Sequence, residues 1–148
     1  MYTTSCDYGI CPSQGWRLLG DSMDSGIGGS EFSDSSVTLR LDMEVAGEAE
    51  FGFSLVSSHS LNVLSFFTGS ACAHDPSKVC WGSPVHCFCV GCTSSHGSCT
   101  AVSPNINSNV SFAVDAGDQF VKLVFHREPP LQLSDAQTVQ ANMHPPLC

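Results

Sequence analysis

Apolar and polar residues alternate strictly over residues 37–45, and this alternation restricts the fold more than any other feature of the chain. The apolar positions are Val37, Leu39, Leu41, Met43 and Val45. The residues between them are Thr, Arg, Asp and Glu. A period of two predicts a strand with one buried face and one solvent-exposed face.

Further strand-like segments lie between residues 49 and 67 and between residues 109 and 127. They are AEFGFSLV, LNVLSFF, NVSFAVDAG and DQFVKLVFHR. LNVLSFF is apolar on both faces, which predicts a central strand, and none of the segments has a helical period. Strands at this regular spacing favour sandwiches. The sequence predicts an all-β fold, a single antiparallel β-sandwich of the jelly-roll or immunoglobulin-like type, over residues 1–130.

Nine cysteines punctuate the chain, and six of them lie between residues 72 and 99. Zinc would need ligands that converge tetrahedrally, and a redox motif would open a helix, but the gaps here are irregular and no helix is predicted. Disulfides are therefore favoured over zinc or a catalytic thiol. The predicted disulfide cysteines are Cys6, Cys11, Cys72, Cys80, Cys87, Cys89, Cys92 and Cys99. Cys6 and Cys11 are the expected local pair, and residues 70–100 are predicted to be a disulfide-stapled loop insertion.

The C-terminal segment 131–148 has its own alternation and no hairpin turn linking it to the preceding strand. Its predicted assembly positions are Leu131, Leu133, Val139, Ala141 and Met143. We expect this tail to pair with its own sheet or with the sheet edge of a neighbouring copy. Because the number of cysteines is odd, at least one of them has no partner within the chain. The final residue, Cys148, is the predicted one, either as a free thiol or as a bridge to another chain.

Charge excludes several classes of partner. The chain has 14 acidic and 5 basic residues, a formal net charge of −9. Nucleic acid and anionic lipid both require a Lys/Arg surface, so neither is expected as a partner.

No apolar run is long enough to span a bilayer. The cysteine density is typical of oxidising compartments and predicts a secreted, extracellular protein.

Two further motifs bear on modification and metal binding. Asn109-Val110-Ser111 is an N-glycosylation sequon, which makes Asn109 the predicted glycosylation site. The loop at 21–36 carries four acidic residues that could gather Ca²⁺. They are Asp21, Asp24, Glu31 and Asp34. Because no EF-hand spacing is present, we expect a solvated acidic loop and no metal or other cofactor apart from glycans.

One short motif raises the question of an enzyme. Gly20-Asp21-Ser22 resembles the nucleophile block of the GDSL hydrolases, a family that also has a C-terminal D-x-x-H motif. Here Ala141 occupies the position three residues before His144, and the G-x-N-D block is absent. We therefore expect no enzymatic activity.

Two functions remain. The first is a secreted, glycosylated structural subunit that polymerises into an extracellular fibre or coat, with the tail adding a strand to a neighbouring copy. The alternative is an extracellular carbohydrate-binding or adhesion module. Trp16 and Trp81 are the aromatic residues that could stack on a sugar, and the expected sites are loop 21–36 and the cysteine-rich insertion.

Overall fold

The computed structural model describes residues 2–9, 16–19, 22–26, 33–56, 62–90, 99–128 and 137–144. These residues form twelve strands. The strands are β1 (Tyr2–Gly9), β2 (Arg17–Leu19), β3 (Ser22–Asp24), β4 (Ser33–Met43), β5 (Gly47–Val56), β6 (Val63–Cys72), β7 (Asp75–Trp81), β8 (His86–Val90), β9 (Thr100–Val102), β10 (Ile106–Val114), β11 (Gly117–Arg127) and β12 (Thr138–His144).

The strands form two sheets. The seven-stranded sheet has the order β1-β4-β11-β6-β8-β9, and β7 pairs with the end of β6 that β8 leaves uncovered. The five-stranded sheet has the order β10-β5-β12-β3-β2. All pairings are antiparallel except the short parallel contact between β8 and β9. The predicted antiparallel β-sandwich is confirmed.

The core lies between the sheets, and it contains the residues that the alternation placed on the buried faces. Phe51, Leu55, Leu123 and Phe125 are fully buried, and the rings of Phe51 and Phe66 lie 5.6 Å apart. LNVLSFF, predicted to be central, forms the start of β6, which is flanked on both sides. Val45 is the exception because β4 ends at Met43, which leaves Val45 exposed in the turn.

Of the two pairings that we considered for the C-terminal segment, the structure shows the one within its own chain. Strand β12 pairs with β5 on one side and β3 on the other, inside its own chain. Val139 and Ala141 are completely buried, and Met143 packs against the core. A strand held on both edges is not available to a neighbour, and the sandwich extends beyond the boundary predicted at residue 130. Leu131 and Leu133 lie outside the described residues.

The cysteine-rich region also differs from the predicted loop insertion. Strands β7, β8 and β9 belong to this region and extend the seven-stranded sheet. One disulfide joins Cys72 on β6 to Cys80 on β7, and another joins Cys87 on β8 to Cys99 just before β9. The short, weakly alternating strands are therefore held to the sheet by covalent links as well as by hydrogen bonds.

The other cysteine predictions have mixed outcomes. Cys6 and Cys89 are also disulfide-bonded. Cys11, Cys92 and Cys148 lie outside the described residues, so the Cys6–Cys11 pairing and the role of Cys148 stay predictions. Within the described ranges, no helix is long and apolar enough to cross a membrane.

Candidate functional site

A shallow groove of about 350 Å³ crosses the outer face of the five-stranded sheet. We call it the amide groove because of its side chains. It is lined by Gly52, Phe53, Ser54, Asn107, Ser108, Asn109, Gln140 and Asn142. Its volume is within the range of small-ligand sites.

Strand register explains why these side chains meet. Asn109 on β10 lies opposite Gly52 on β5, which lies opposite Asn142 on β12. In the next row of the same face, Asn107, Ser54 and Gln140 are aligned in the same way. Residues directly opposite each other in an antiparallel pair share a face. Gly52 has no side chain, so the sheet backbone forms the floor between the two flanking asparagines.

The amides of the groove are largely free to bind. Gln140 donates from Nε2 to Oδ2 of Asp24 over 3.1 Å. The side chains of Asn107, Asn109 and Asn142 form no hydrogen bond with another described residue. Each of these amides offers two N–H donors and a carbonyl acceptor with two lone pairs. The groove therefore presents donors and acceptors together, without a net charge.

Acidic groups border the groove. Asp24, on β3, lies opposite Gln140. Glu50, on β5, lies opposite Ser111 on β10, in the row next to that of Gly52. None of the eight lining residues is ionisable. The border also carries a cation, because Arg17 on β2 lies opposite Asp24 in the same row of the sheet.

A buried cluster stabilises the sheets beside the groove. We call it the Arg127 cluster, and it consists of Arg127, Ser25, Gly26, Ser35 and Gln137. The Arg127 Nε donates to the Gln137 carbonyl oxygen over 3.1 Å, and Nη1 donates to Ser35 Oγ over 3.3 Å. Nη2 reaches the Ser25 and Gly26 carbonyl oxygens at 3.0 and 2.7 Å. One side chain thus joins both sheets.

The guanidinium in this cluster is a cation held by neutral oxygens. Arg127 is completely buried, and its Cζ lies 4.7 Å from the centre of the Phe125 ring. Burial lowers the pKa of Arg127 to about 10, an effect that the charge of Asp24 partly opposes. The group remains protonated at neutral pH. Ser25 is also bonded to β12, since its Oγ accepts from the Val139 N–H over 2.9 Å.

His126 lies beside the Arg127 cluster, on the outer face of the seven-stranded sheet. Its Nδ1 is hydrogen-bonded to Asp34, and its Nε2 lies 2.8 Å from Glu128 Oε1. Burial alone would lower the pKa of His126, but the bonds to Glu128 and Asp34 outweigh it and raise that pKa above 6.5. With both ring nitrogens engaged, the imidazole is not positioned as an acid or base for a ligand.

The two tryptophans differ in exposure, since Trp16 is buried and Trp81 is half-buried. Trp16 is buried, at 2% exposure, so our suggestion that it stacks on a sugar is wrong. Trp81 lies over Gly69, and the Nζ of Lys122 sits 4.5 Å from its ring centre. The edge of the ring meets Phe120 at 6.5 Å. Trp81 therefore covers the outer face of the seven-stranded sheet. The amide groove lies on the outer face of the other sheet.

The remaining predicted site residues are distributed over both sheets. Of the four loop acids, Asp24 is on the five-stranded sheet and Asp34 on the seven-stranded one, while Asp21 and Glu31 lie outside the described residues. In the described part of the chain, no group of three or more His, Cys, Asp or Glu residues could hold a metal ion. Asn109, the predicted glycosylation site, lies in the wall of the amide groove.

Sequence reasoning missed the amide groove. The signal was present, because small or amide residues occupy every second position at 52 and 54, 107 and 109, and 140 and 142. It was obscured because the three segments are distant in sequence. Their alignment depends on β12 pairing with β5, which the sequence left open.

Comparison with known proteins gives low sequence identities and TM-scores below 0.5. No family model and no curated protein sequence matches the chain. Among solved structures, the K1 cleaved adhesin domain of Lys-gingipain from Porphyromonas gingivalis W83 is 14% identical, with a TM-score of 0.49. The match covers 97% of this chain and 95% of the adhesin domain. The CBM35 from Paenibacillus barcinonensis is 10% identical with a TM-score of 0.42, covering 97% of each chain.

A third structure is the secreted serine protease VesC from Vibrio cholerae, 13% identical with a TM-score of 0.47. The match covers 95% of this chain but only 25% of VesC. Such low identity does not transfer a ligand or an activity to this chain.

Proposed function

We propose that the chain is an extracellular carbohydrate-binding module that holds a neutral glycan in the amide groove. The observation that carries the proposal is the set of unpaired amides on β10 and β12, which lie on either side of β5. Asn107, Asn109 and Asn142 can donate and accept at once, which is what the hydroxyl groups of a sugar require. The disulfides support placement in an oxidising compartment.

Other ligand classes fit the groove less well. An apolar ligand needs an apolar lining, whereas this lining is mainly amides and hydroxyls. An anionic ligand would meet Asp24 and Glu50 at the borders without a cation among the lining residues. A neutral, hydroxyl-rich ligand meets neither obstacle, so it is the class that the chemistry favours.

In this proposal the chain binds its ligand without transforming it. No described residue in the groove pairs a nucleophile with a base. Self-assembly through a donated tail is not retained as the main function, because β12 pairs within its own chain.

Retention on a glycan array tests the proposal. The array carries neutral, uronic-acid and sulfated oligosaccharides, and the wild-type chain is compared with the N107A/N142A double variant. Q119A is the matched control, because Gln119 is an amide on the opposite sheet that bonds to the Ala116 carbonyl oxygen. We expect wild type and Q119A to bind neutral glycans and the double variant to lose most binding. Equal binding by all three chains would contradict the proposal.

A further inference from the structure

The predicted glycosylation site and the amide groove coincide. In the sequon Asn109-Val110-Ser111, the middle residue is buried in the core at 5% exposure, while the two outer residues are exposed. The alternation of strand β10 thus directs the acceptor Asn109 to the outer face. It lies opposite Gly52, in the wall of the groove.

Attachment of a glycan at this position starts a sugar chain in the wall of the groove. When Asn109 is glycosylated, its Nδ2 forms a bond to C1 of the first sugar. The bond from C1 to the pyrophosphate of a lipid-linked donor breaks, and one amide proton is released. Neighbouring strands are about 4.8 Å apart, so the first sugar begins about one strand spacing from Gly52 and about two from Asn142. The same reaction removes one N–H donor from the groove.

We infer that glycosylation of Asn109 and binding of an external glycan in the amide groove exclude each other. The inference rests on the proposed function and adds its regulation: the occupancy of one sequon sets the fraction of molecules that can bind. The attached glycan acts by occupying space and by replacing a donor.

Ser111 provides a variant that separates modification from binding. S111A removes the sequon hydroxyl and leaves the Asn109 amide in place. The Ser111 side chain is exposed, and its contact with His86 Nε2 at 3.1 Å uses the backbone oxygen, which alanine keeps. S111A should therefore fold like the wild type and present an intact, permanently unglycosylated groove.

The experiment compares wild type and S111A secreted from the same eukaryotic cells. Mass spectrometry of peptides measures occupancy at Asn109, and the glycosylated fraction is tested on the neutral glycans of the array. We expect glycosylated wild type to bind at least about tenfold more weakly than S111A, since it loses space and a hydrogen-bond donor. Wild type from a bacterial periplasm, which lacks the glycan, should match S111A.

Each other outcome overturns the inference in a recognisable way. An unmodified Asn109 in the eukaryotic protein shows that the sequon is not used. An occupied Asn109 with unchanged binding shows that the glycan leaves the groove open, while the proposed function stands. If S111A and the periplasmic wild type both fail to bind any neutral glycan, the proposed function itself fails, and the inference fails with it.

Discussion

The Arg127 cluster and the amide groove are both polar, and both depend on β12, yet they use their polar groups in opposite ways. Arg127 directs its donors to oxygens of its own chain and is fully buried. Asn107 and Asn142 are exposed, and their side chains form no hydrogen bond with another described residue. Burying a polar group without a hydrogen-bond partner costs free energy, whereas exposed amides in a groove remain available to a ligand.

This difference predicts a clean separation of effects. Changes in the Arg127 cluster should alter the free energy of unfolding and leave ligand affinity in the folded fraction unchanged. Changes in the groove should do the reverse.

The largest effect is expected for R127M. The substitution keeps much of the side-chain volume but leaves the Ser25, Gly26 and Gln137 carbonyl oxygens without their donor. We expect the free energy of unfolding to fall by about 3 kcal/mol, measured by chemical denaturation. R40M is the control, because the exposed pair of Arg40 and Asp118 should contribute little. Similar stability of R127M and wild type would show that the Arg127 cluster does not stabilise the fold.

A second stability effect is expected at Gly69, where the outer face of the seven-stranded sheet is packed. A Cβ at this position would lie 2.6 Å from Trp81 Cε3 and 2.8 Å from the Cys80 carbonyl oxygen. We expect G69A to lose about 2 kcal/mol of unfolding free energy and to keep its glycan binding. G82A is the matched control, since the nearest atom to its Cβ is 4.0 Å away. If G69A weakened binding as the groove variants do, the Trp81 face would have to be included in the site.

The groove variants should show the opposite pattern. N107A and N142A each remove one unpaired amide, and together they should weaken binding about tenfold, measured by titration calorimetry. Their free energy of unfolding should change by less than about 0.5 kcal/mol, because both side chains are exposed. A double variant that unfolds easily but binds normally when folded would reverse the assignment of the two regions.

The smallest effect is a pH dependence at His126. Because the pKa of His126 is raised in the folded state, its protonated form stabilises the fold below the ordinary pKa of about 6.5, and this contribution is lost as pH rises through the raised value. Unfolding of wild type and H126Q, compared from pH 6 to 8.5, should show an advantage for wild type that decreases with pH. A constant difference between the two would show that the bonds to Asp34 and Glu128 do not depend on protonation.

Much of the fold could be predicted because the longest strands have one buried face. The apolar residues of β4, β5, β10 and β11 alternate, and most of them lie in the core. The shorter strands were missed because β2, β3 and β9 have only three residues each, too few to show a period. Disulfides hold part of the cysteine-rich region to the sheet. The spacing of the cysteines in the sequence does not show which of them are bonded to each other.

The candidate site could not be predicted from local sequence. Asn109, Gly52 and Asn142 are brought together by the pairing of β10, β5 and β12, and that pairing depends on long-range register. Likewise, Arg127 appears in sequence as an ordinary basic residue at the end of a strand. Only the positions of Ser25, Ser35 and Gln137 around it explain why a cation is buried there.

The most direct test of the central claim is nuclear magnetic resonance with a neutral oligosaccharide that the array identifies. The side-chain amide signals of Asn107, Asn109 and Asn142 report on the groove, and the indole N–H of Trp81 reports on the opposite outer face. If the groove is the binding site, the asparagine signals shift with added ligand and the Trp81 signal stays in place. A shift of the Trp81 indole with unmoved asparagine amides would contradict the claim.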